Sequence, residues 1–383
     1  MLAERMKRLG TETAFEVLAR AKAMEAKGRE IIHLEIGEPD FDTPRNIIDA
    51  TIKALNEGYT HYGPSAGLPE ARKTFAEFIT ADRGVEVGPE NVVITPGAKP
   101  ILFFSIMALC GKGDEVIYPN PGFPIYESVI NFSGAKPVPI PLREEKAFSF
   151  DLDEMKGLVN DKTKLIIINS PHNPTGGVLT SDDMKGIAEL AEKYDAWILS
   201  DEVYSKMIYE GEHVSIYDYP EVKDRTILLE GHSKTYAMTG WRLGYGVMPV
   251  VLADQISKLQ TNSNSCTASF IQRAGIEAIT GDQTASRKMM AEFKARRDLI
   301  VDGLNEIEGF TCLKPKGAFY VFPNITGTGM KSKQLEEHLL EKAGVAGLSG
   351  TSFGKYGEGY LRFSYANSRE NLKKALAKIA EAL

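Results

Sequence analysis

Lys234 and Arg242, eight positions apart in the segment Ser233-Lys234-Thr235-Tyr236-Ala237-Met238-Thr239-Gly240-Trp241-Arg242-Leu243-Gly244-Tyr245, offer the most chemistry in this sequence. An amine attacks a carbonyl carbon only when part of it is neutral, and burial beside a cation lowers an ammonium pKa enough to arrange that. Arg242 can be that cation while its planar fork grips a phosphate. Alone, the pair would read as a surface lysine and a structural arginine. Three further segments change the reading. Asn169-Ser170-Pro171-His172-Asn173-Pro174-Thr175-Gly176-Gly177 is a run of turn-formers. Ser200-Asp201-Glu202-Val203-Tyr204 sets a carboxylate close to a phenol. Thr95-Pro96-Gly97-Ala98-Lys99-Pro100 leads into a helix whose first backbone N–H groups are free to meet a phosphate.

Residues so far apart meet only if the chain between them is regular. From Asn91 to Met248, short β-branched runs alternate with longer amphipathic ones. Strands are expected at Val92–Thr95, Glu115–Tyr118, Lys136–Ile140, Leu165–Asn169, Trp197–Ser200, Ile227–Glu230 and Leu243–Val247. Helices are expected at Pro100–Cys110 and Ser181–Tyr194, the second capped by Thr180 or Ser181. This alternation reads as an α/β fold with a mostly parallel sheet of about seven strands, covered on both faces. Such sheets take their ligands beyond the carboxyl ends of the strands, which is where the four segments fall. The chain ends differ. A charged helix is expected over Thr13–Lys27; from about Glu277 come long helices, a short β segment at Ala318–Phe322 and a last helix, Ser368–Leu383. The expected division is a large domain of residues 45–280 and a smaller α/β domain made by both termini, 1–44 with 281–383. A long helix near Gln283–Asn305 bridges the two.

Bulk properties exclude several function classes. At 383 residues, 43% hydrophobic and 25% charged, the chain has the make-up of an ordinary soluble globular protein. No apolar run approaches the ~20 residues a membrane span needs. The start, MLAERMKRLG, has no apolar stretch behind its charges, so a cytoplasmic location is expected. A net charge of −7 without a basic block argues against nucleic acid. Cys110, Cys266 and Cys312 are widely spaced and unpaired, and Cys110 reads as a small core residue. The histidines show no metal-ligand spacing, so no metal is expected.

In this order and on these strand ends, the four segments resemble the class I aminotransferases of the aspartate aminotransferase superfamily, pyridoxal-phosphate fold type I. The resemblance runs from Gly37-Glu38-Pro39-Asp40-Phe41-Asp42-Thr43-Pro44 to Arg362-Phe363-Ser364-Tyr365-Ala366 and is nearest the branch with aspartate and prephenate aminotransferases. It implies that Lys234 is the Schiff-base lysine and later the proton shuttle. Asp201 would pair with the protonated pyridine nitrogen of pyridoxal 5'-phosphate and keep the ring an electron sink. Asn173 and Tyr204 would hydrogen-bond the ring's 3′-oxygen. Gly97, Ala98 and Lys99 would wrap the phosphate, with Ser233 and Arg242 completing the cup. Phe123 would stack on the ring, where many relatives carry Trp or Tyr. Tyr62 would reach the phosphate of a neighbouring subunit, which implies a homodimer with shared active sites.

The resemblance further makes Arg362 the clamp for the substrate α-carboxylate, assisted by Gly37 and Asn173. Lys99 either reaches a distal carboxylate or serves the phosphate. Phe15 and Glu16 align with positions that cover the substrate, and a carboxylate at Glu16 would repel a dicarboxylate unless turned away. The expected activity moves an α-amino group from an L-amino acid, aspartate first, to 2-oxoglutarate. The alternatives are an alanine or aromatic aminotransferase, or a pyridoxal-phosphate lyase on the same fold. A non-enzymatic effector domain would bring a basic DNA-binding extension ahead of Gly37, and the residues there are not markedly basic.

Overall fold

The computed structural model describes residues 2–383. All seven expected strands form: β1 (Val92–Thr95), β2 (Glu115–Asn120), β3 (Lys136–Arg143), β5 (Thr163–Asn169), β6 (Trp197–Asp201), β7 (Thr226–Gly231) and β8 (Gly244–Val247). Between β3 and β5 lies β4 (Ser149–Phe150), which makes the sheet eight-stranded rather than seven. Two residues are too few to display an alternation of apolar and polar side chains, so periodicity could not reveal it.

The sheet order is β1-β8-β7-β6-β5-β2-β3-β4. Strands β3, β2, β5, β6 and β7 run parallel to their neighbours in that series. Strand β8 is antiparallel to both β7 and β1, which restores β1 to the direction of β7. Along β5, Leu165 and Ile167 enter one apolar cluster with Ile101, Leu102, Leu199 and Ile227. Ile166 and Ile168 enter another with Met184, Ile187 and Ile198. Because both faces are covered, the strand reads as an unbroken apolar run. Each such side chain gains roughly 1.5–3 kcal/mol from leaving water. The helix Ser181–Lys193 covering one face is opened by Thr180, whose hydroxyl accepts from the Asp183 N–H at 3.2 Å.

The two chain ends meet. Ile32–His33 pairs in parallel with Val345–Ala346. Leu361–Ser364 is the centre of a three-stranded antiparallel sheet between Tyr320–Val321 and Leu348–Ser349. The helix Thr284–Asn305 contributes Phe293, Ile300 and Leu304 to a core shared with Phe319, Phe363 and, from the final helix Arg369–Ala382, Leu372, Ala375 and Ile379. Near its start, Ser286 Oγ donates to the Thr235 carbonyl at 2.9 Å, which ties this helix to the segment carrying Lys234. Among the described residues no helix is long and apolar enough to cross a membrane.

Candidate active site

The carboxyl ends of β1, β2, β5, β6 and β7 share one edge of the sheet, and a cavity of about 470 Å³ opens there. Gly37, Ala98, Lys99, Phe123, Asn173, Asp201, Tyr204, Ser233, Lys234, Arg242 and Arg362 all line it. Of the residues expected there, two stand apart. Gly97 lies behind the lining at φ +92°, and a Cβ on it would come within 2.2 Å of the Arg242 guanidinium. Only glycine allows that approach. Tyr62 is 88% exposed and takes no part in the cavity of its own chain.

Lys234 follows β7 directly, and its Nζ donates to the Gly37 carbonyl at 2.6 Å. Burial pushes its ammonium down to about 8; Arg362, Arg242 and Lys99 add to the push and Glu38 opposes it. The result is an amine with a useful neutral fraction near physiological pH. Asp201 ends β6. One carboxylate oxygen accepts from the Tyr126 hydroxyl at 2.7 Å and the other from the Val203 N–H at 3.4 Å. Burial pushes this carboxyl up to about 6, while the Tyr126 hydrogen bond holds it back. A buried carboxylate touched only by neutral donors lacks its counter-ion, and a protonated ring nitrogen supplies one.

Beyond β5, the Asn173 N–H donates to Asn169 Oδ1 at 2.9 Å, and Asn169 Nδ2 donates to the Asp201 carbonyl at 2.8 Å, locking two strand ends together. Arg362 is buried in the middle strand of the small sheet. Its Nη1 donates to Asn173 Oδ1 at 3.1 Å, Nη2 donates to the Glu35 carbonyl, and Nε is without a partner. Its guanidinium lies over the rings of Tyr320 at 4.5 Å and Phe353 at 4.8 Å. An oriented fork with an unspent donor is suited to a carboxylate. Tyr204 and Tyr320 share a hydrogen bond between hydroxyls at 2.7 Å, and burial raises both phenols. Ser233, Arg242 and the start of the helix Lys99–Leu109 also line the cavity, and their positive charge and free N–H groups suit a phosphate.

The residues therefore fit pyridoxal phosphate at each of its three demanding points: a lowered amine for its aldehyde, a buried carboxylate for its ring nitrogen and basic, N–H-rich groups for its phosphate. Among the described residues no His, Cys, Asp and Glu cluster is placed to hold a metal ion.

Sequence reasoning missed several lining residues. Glu12 forms an ion pair with Lys99 inside the cavity. Glu16, singled out as the carboxylate near the substrate, is exposed and outside it, whereas Phe15 lies on the rim. Near its start the helix Ala14–Glu25 turns Phe15 toward the cavity, and the next residue faces away. Tyr126, Tyr320 and Glu38 also line the cavity. Tyr126 and Tyr320 are brought there from distant sequence and carry no local motif, whereas Glu38 sits beside Gly37 in the segment that opens the resemblance, where the sequence alone gives it no role.

Comparison with known proteins agrees with this geometry. A family profile described as "Aminotransferase class I and II" matches residues 29–379. The aspartate aminotransferase of Pyrococcus horikoshii is 45% identical, over 100% of this chain and 97% of the relative. The probable aspartate/prephenate aminotransferase of Aquifex aeolicus is 41% identical, over 100% of this chain and 98% of the relative. The solved structure of an alanine aminotransferase from Pyrococcus furiosus superposes with a TM-score of 0.95 at 34% identity, covering 100% of this chain and 99% of the other. With fold, cavity and relatives in agreement, the chain belongs to the class I and II aminotransferases, and it is a pyridoxal-phosphate-dependent enzyme of fold type I.

Proposed function

We propose that this aminotransferase takes a dicarboxylic donor, aspartate first, and passes the amino group to 2-oxoglutarate in a ping-pong cycle. One observation carries the reading. Among the described residues, four cations line the cavity: Lys99, Lys234, Arg242 and Arg362. Lys234 is the nucleophilic amine, Arg242 suits the phosphate and Arg362 offers the α-carboxylate clamp, which leaves Lys99 for a distal carboxylate. The names of the Pyrococcus horikoshii and Aquifex aeolicus relatives support the same substrate. A lysine point charge recognises a carboxylate more loosely than a bidentate arginine, so alanine and aromatic donors are tolerated as well.

Bound pyridoxal phosphate supplies the electron sink that makes the substrate's α-proton removable. The protein's own groups do the rest. Arg362, aided by Asn173 and Gly37, fixes the α-carboxylate and so orients the Cα–H bond. Lys234 Nζ, its pKa lowered so that it is free to act as a base, would take that proton and hold it for return. When pyridoxal phosphate is bound, Asp201 would hold the ring nitrogen's proton, Tyr204 and Asn173 would hydrogen-bond the ring oxygen, and Phe123 would pack against the ring. The backbone of Gly97, Ala98 and Lys99, with the side chains of Ser233 and Arg242, would form the phosphate cup, leaving the Lys99 ammonium free for the substrate. In this reading residues 45–280 are the cofactor-binding domain, and residues 1–44 with 281–383 form the smaller one. The enzyme acts as a cytoplasmic homodimer in which Tyr62 completes the partner's phosphate site.

A panel of L-amino acids against 2-oxoglutarate, scored by glutamate formed, tests the substrate. Aspartate should lead, with alanine and aromatic donors slower. Alanine ahead of aspartate by orders of magnitude would sink the dicarboxylate reading and leave the aminotransferase standing.

A further inference from the structure

A ping-pong enzyme must admit two unlike side chains to one cavity in turn. A neutral donor such as alanine would leave the Lys99 ammonium facing an apolar group, whereas 2-oxoglutarate needs that ammonium for its far carboxylate. The Lys99 side chain is 48% exposed and that of Glu12 only 18%, so the lysine reaches toward the mouth and the carboxylate sits deeper. Glu12 is held on a short tether. On one side Gly10 is fixed to the large sheet's body, its N–H donating to Ser128 Oγ at 2.9 Å and its carbonyl accepting from the same hydroxyl at 3.2 Å. On the other side the Thr13 carbonyl accepts from Glu16 and Val17, at 3.0 and 3.1 Å, and starts the helix Ala14–Glu25. The side chain can turn while its backbone stays. Burial lowers the Arg362 pKa, and the charge of Glu12 is one of those that oppose that shift. The other carboxylate at this end of the cavity, Glu38, is engaged by the Thr239 hydroxyl instead.

We propose that Glu12 is a specificity-determining residue: its carboxylate is the resident counter-ion of Lys99 and is exchanged for the distal carboxylate of a dicarboxylic substrate. The pocket is thus neutral for a neutral side chain and cationic for an acidic one. A pair this exposed is weak, so the exchange costs little. The inference rests on Lys99 serving the distal carboxylate.

The test uses holoenzyme, with Glu12→Gln and Lys99→Ala beside wild type. Binding of the unreactive dicarboxylate maleate is measured by calorimetry, and KM is measured for aspartate, 2-oxoglutarate and alanine. Glutamine cannot neutralise Lys99, so Glu12→Gln should bind maleate several-fold, up to about fivefold, more tightly and lower KM for both dicarboxylates by a similar factor, as expected when a partly exposed ion pair no longer competes. KM for alanine should rise. Unchanged maleate affinity, or equal shifts for acidic and neutral substrates, overturns the role of Glu12. Lys99→Ala separates the two claims. If it harms aspartate and alanine alike, Lys99 belongs to the phosphate and the dicarboxylate reading itself fails. If it is selective against aspartate while Glu12→Gln is not selective, only the inference about Glu12 fails.

Discussion

Lys234 lies within the field of Arg362, Arg242 and Lys99, and burial lowers its ammonium further, to about 8. The neutral form is the one that attacks an aldehyde. Capture of pyridoxal phosphate by cofactor-free protein should therefore accelerate as pH rises through about 8 and level off above it. Stopped-flow absorbance would follow this, and a rate still climbing past pH 10 would show an ordinary lysine. Borohydride reduction should then fix the cofactor on the peptide containing Lys234. Lys234→Ala should keep the phosphate cup yet lose transamination by several powers of ten, on the order of 10³ or more. Label on another lysine would end the assignment. At this scale the sequence was informative where chemistry is contiguous. Ser233, Lys234 and Arg242 sit in one segment, and Asp201 and Tyr204 in another. It was silent on Glu12, whose partner lies 87 positions away, and on Tyr126, whose hydroxyl reaches Asp201 across 75. Such contacts are made by the fold and leave no spacing to read.

Strand ends that carry catalytic groups need holding, and β6 and β7 are held by one buried arginine. Arg83, at the end of the helix Pro69–Arg83, donates to Glu202 at 2.7 Å and to Glu230 at 3.1 Å. Glu202 follows Asp201, and Glu230 stands four residues before Lys234. Glu202 is further satisfied by Ser200, Ser215 and His213, and although burial opposes ionisation, Arg83 and His213 hold its carboxyl down at about 2. Glu230 accepts from Ser205 at 2.9 Å, but burial and the neighbouring Glu202 push it up to about 7, against the pull of Arg83. Two carboxylates on one arginine thus titrate in opposite senses. Glu202→Gln should cost about 1–3 kcal/mol, because it removes a charge-assisted contact while Arg83 keeps Asp82 at 2.6 Å and Glu230 at 3.1 Å. Glu230→Gln should cost less. The sign of its pH dependence follows from proton counting: between roughly pH 4.5 and 7 the folded state keeps the Glu230 proton that the unfolded chain has lost, so this residue's contribution falls as pH rises. Urea melts across that window should show a decline in wild type that is smaller in Glu230→Gln; parallel curves would refute it. No sequence pattern announced this arrangement. The strands were legible because burial on both faces writes apolar runs, whereas β4 and the charges that pin the strand ends are too short or too dispersed to show a period.

At the scale of the whole molecule, the position of Tyr62 decides what counts as an active site. The residue is 88% exposed and outside the cavity of its own chain, and the resemblance places it on the phosphate of a neighbouring subunit. Either the residue is idle or a second copy brings it to a neighbouring cavity. Two-fold pairing makes the exchange mutual, each subunit lending its Tyr62 and receiving the other's. Complementation separates these outcomes. A Lys234→Ala subunit has an empty nucleophile position but an intact Tyr62; a Tyr62→Ala subunit has Lys234 but lends nothing useful. In a mixed dimer with shared sites, the Tyr62→Ala subunit's cavity contains its own Lys234 and receives the partner's Tyr62, so one complete site forms. Equal mixing gives about half mixed dimers, and hence about a quarter of all sites intact, if exchange is random. Activity near that fraction of wild type, with mass-tagged subunits proving exchange, is the expected result. If Tyr62 served its own chain, neither cavity of the mixed dimer would hold both residues, and activity would remain at the level of the unmixed variants.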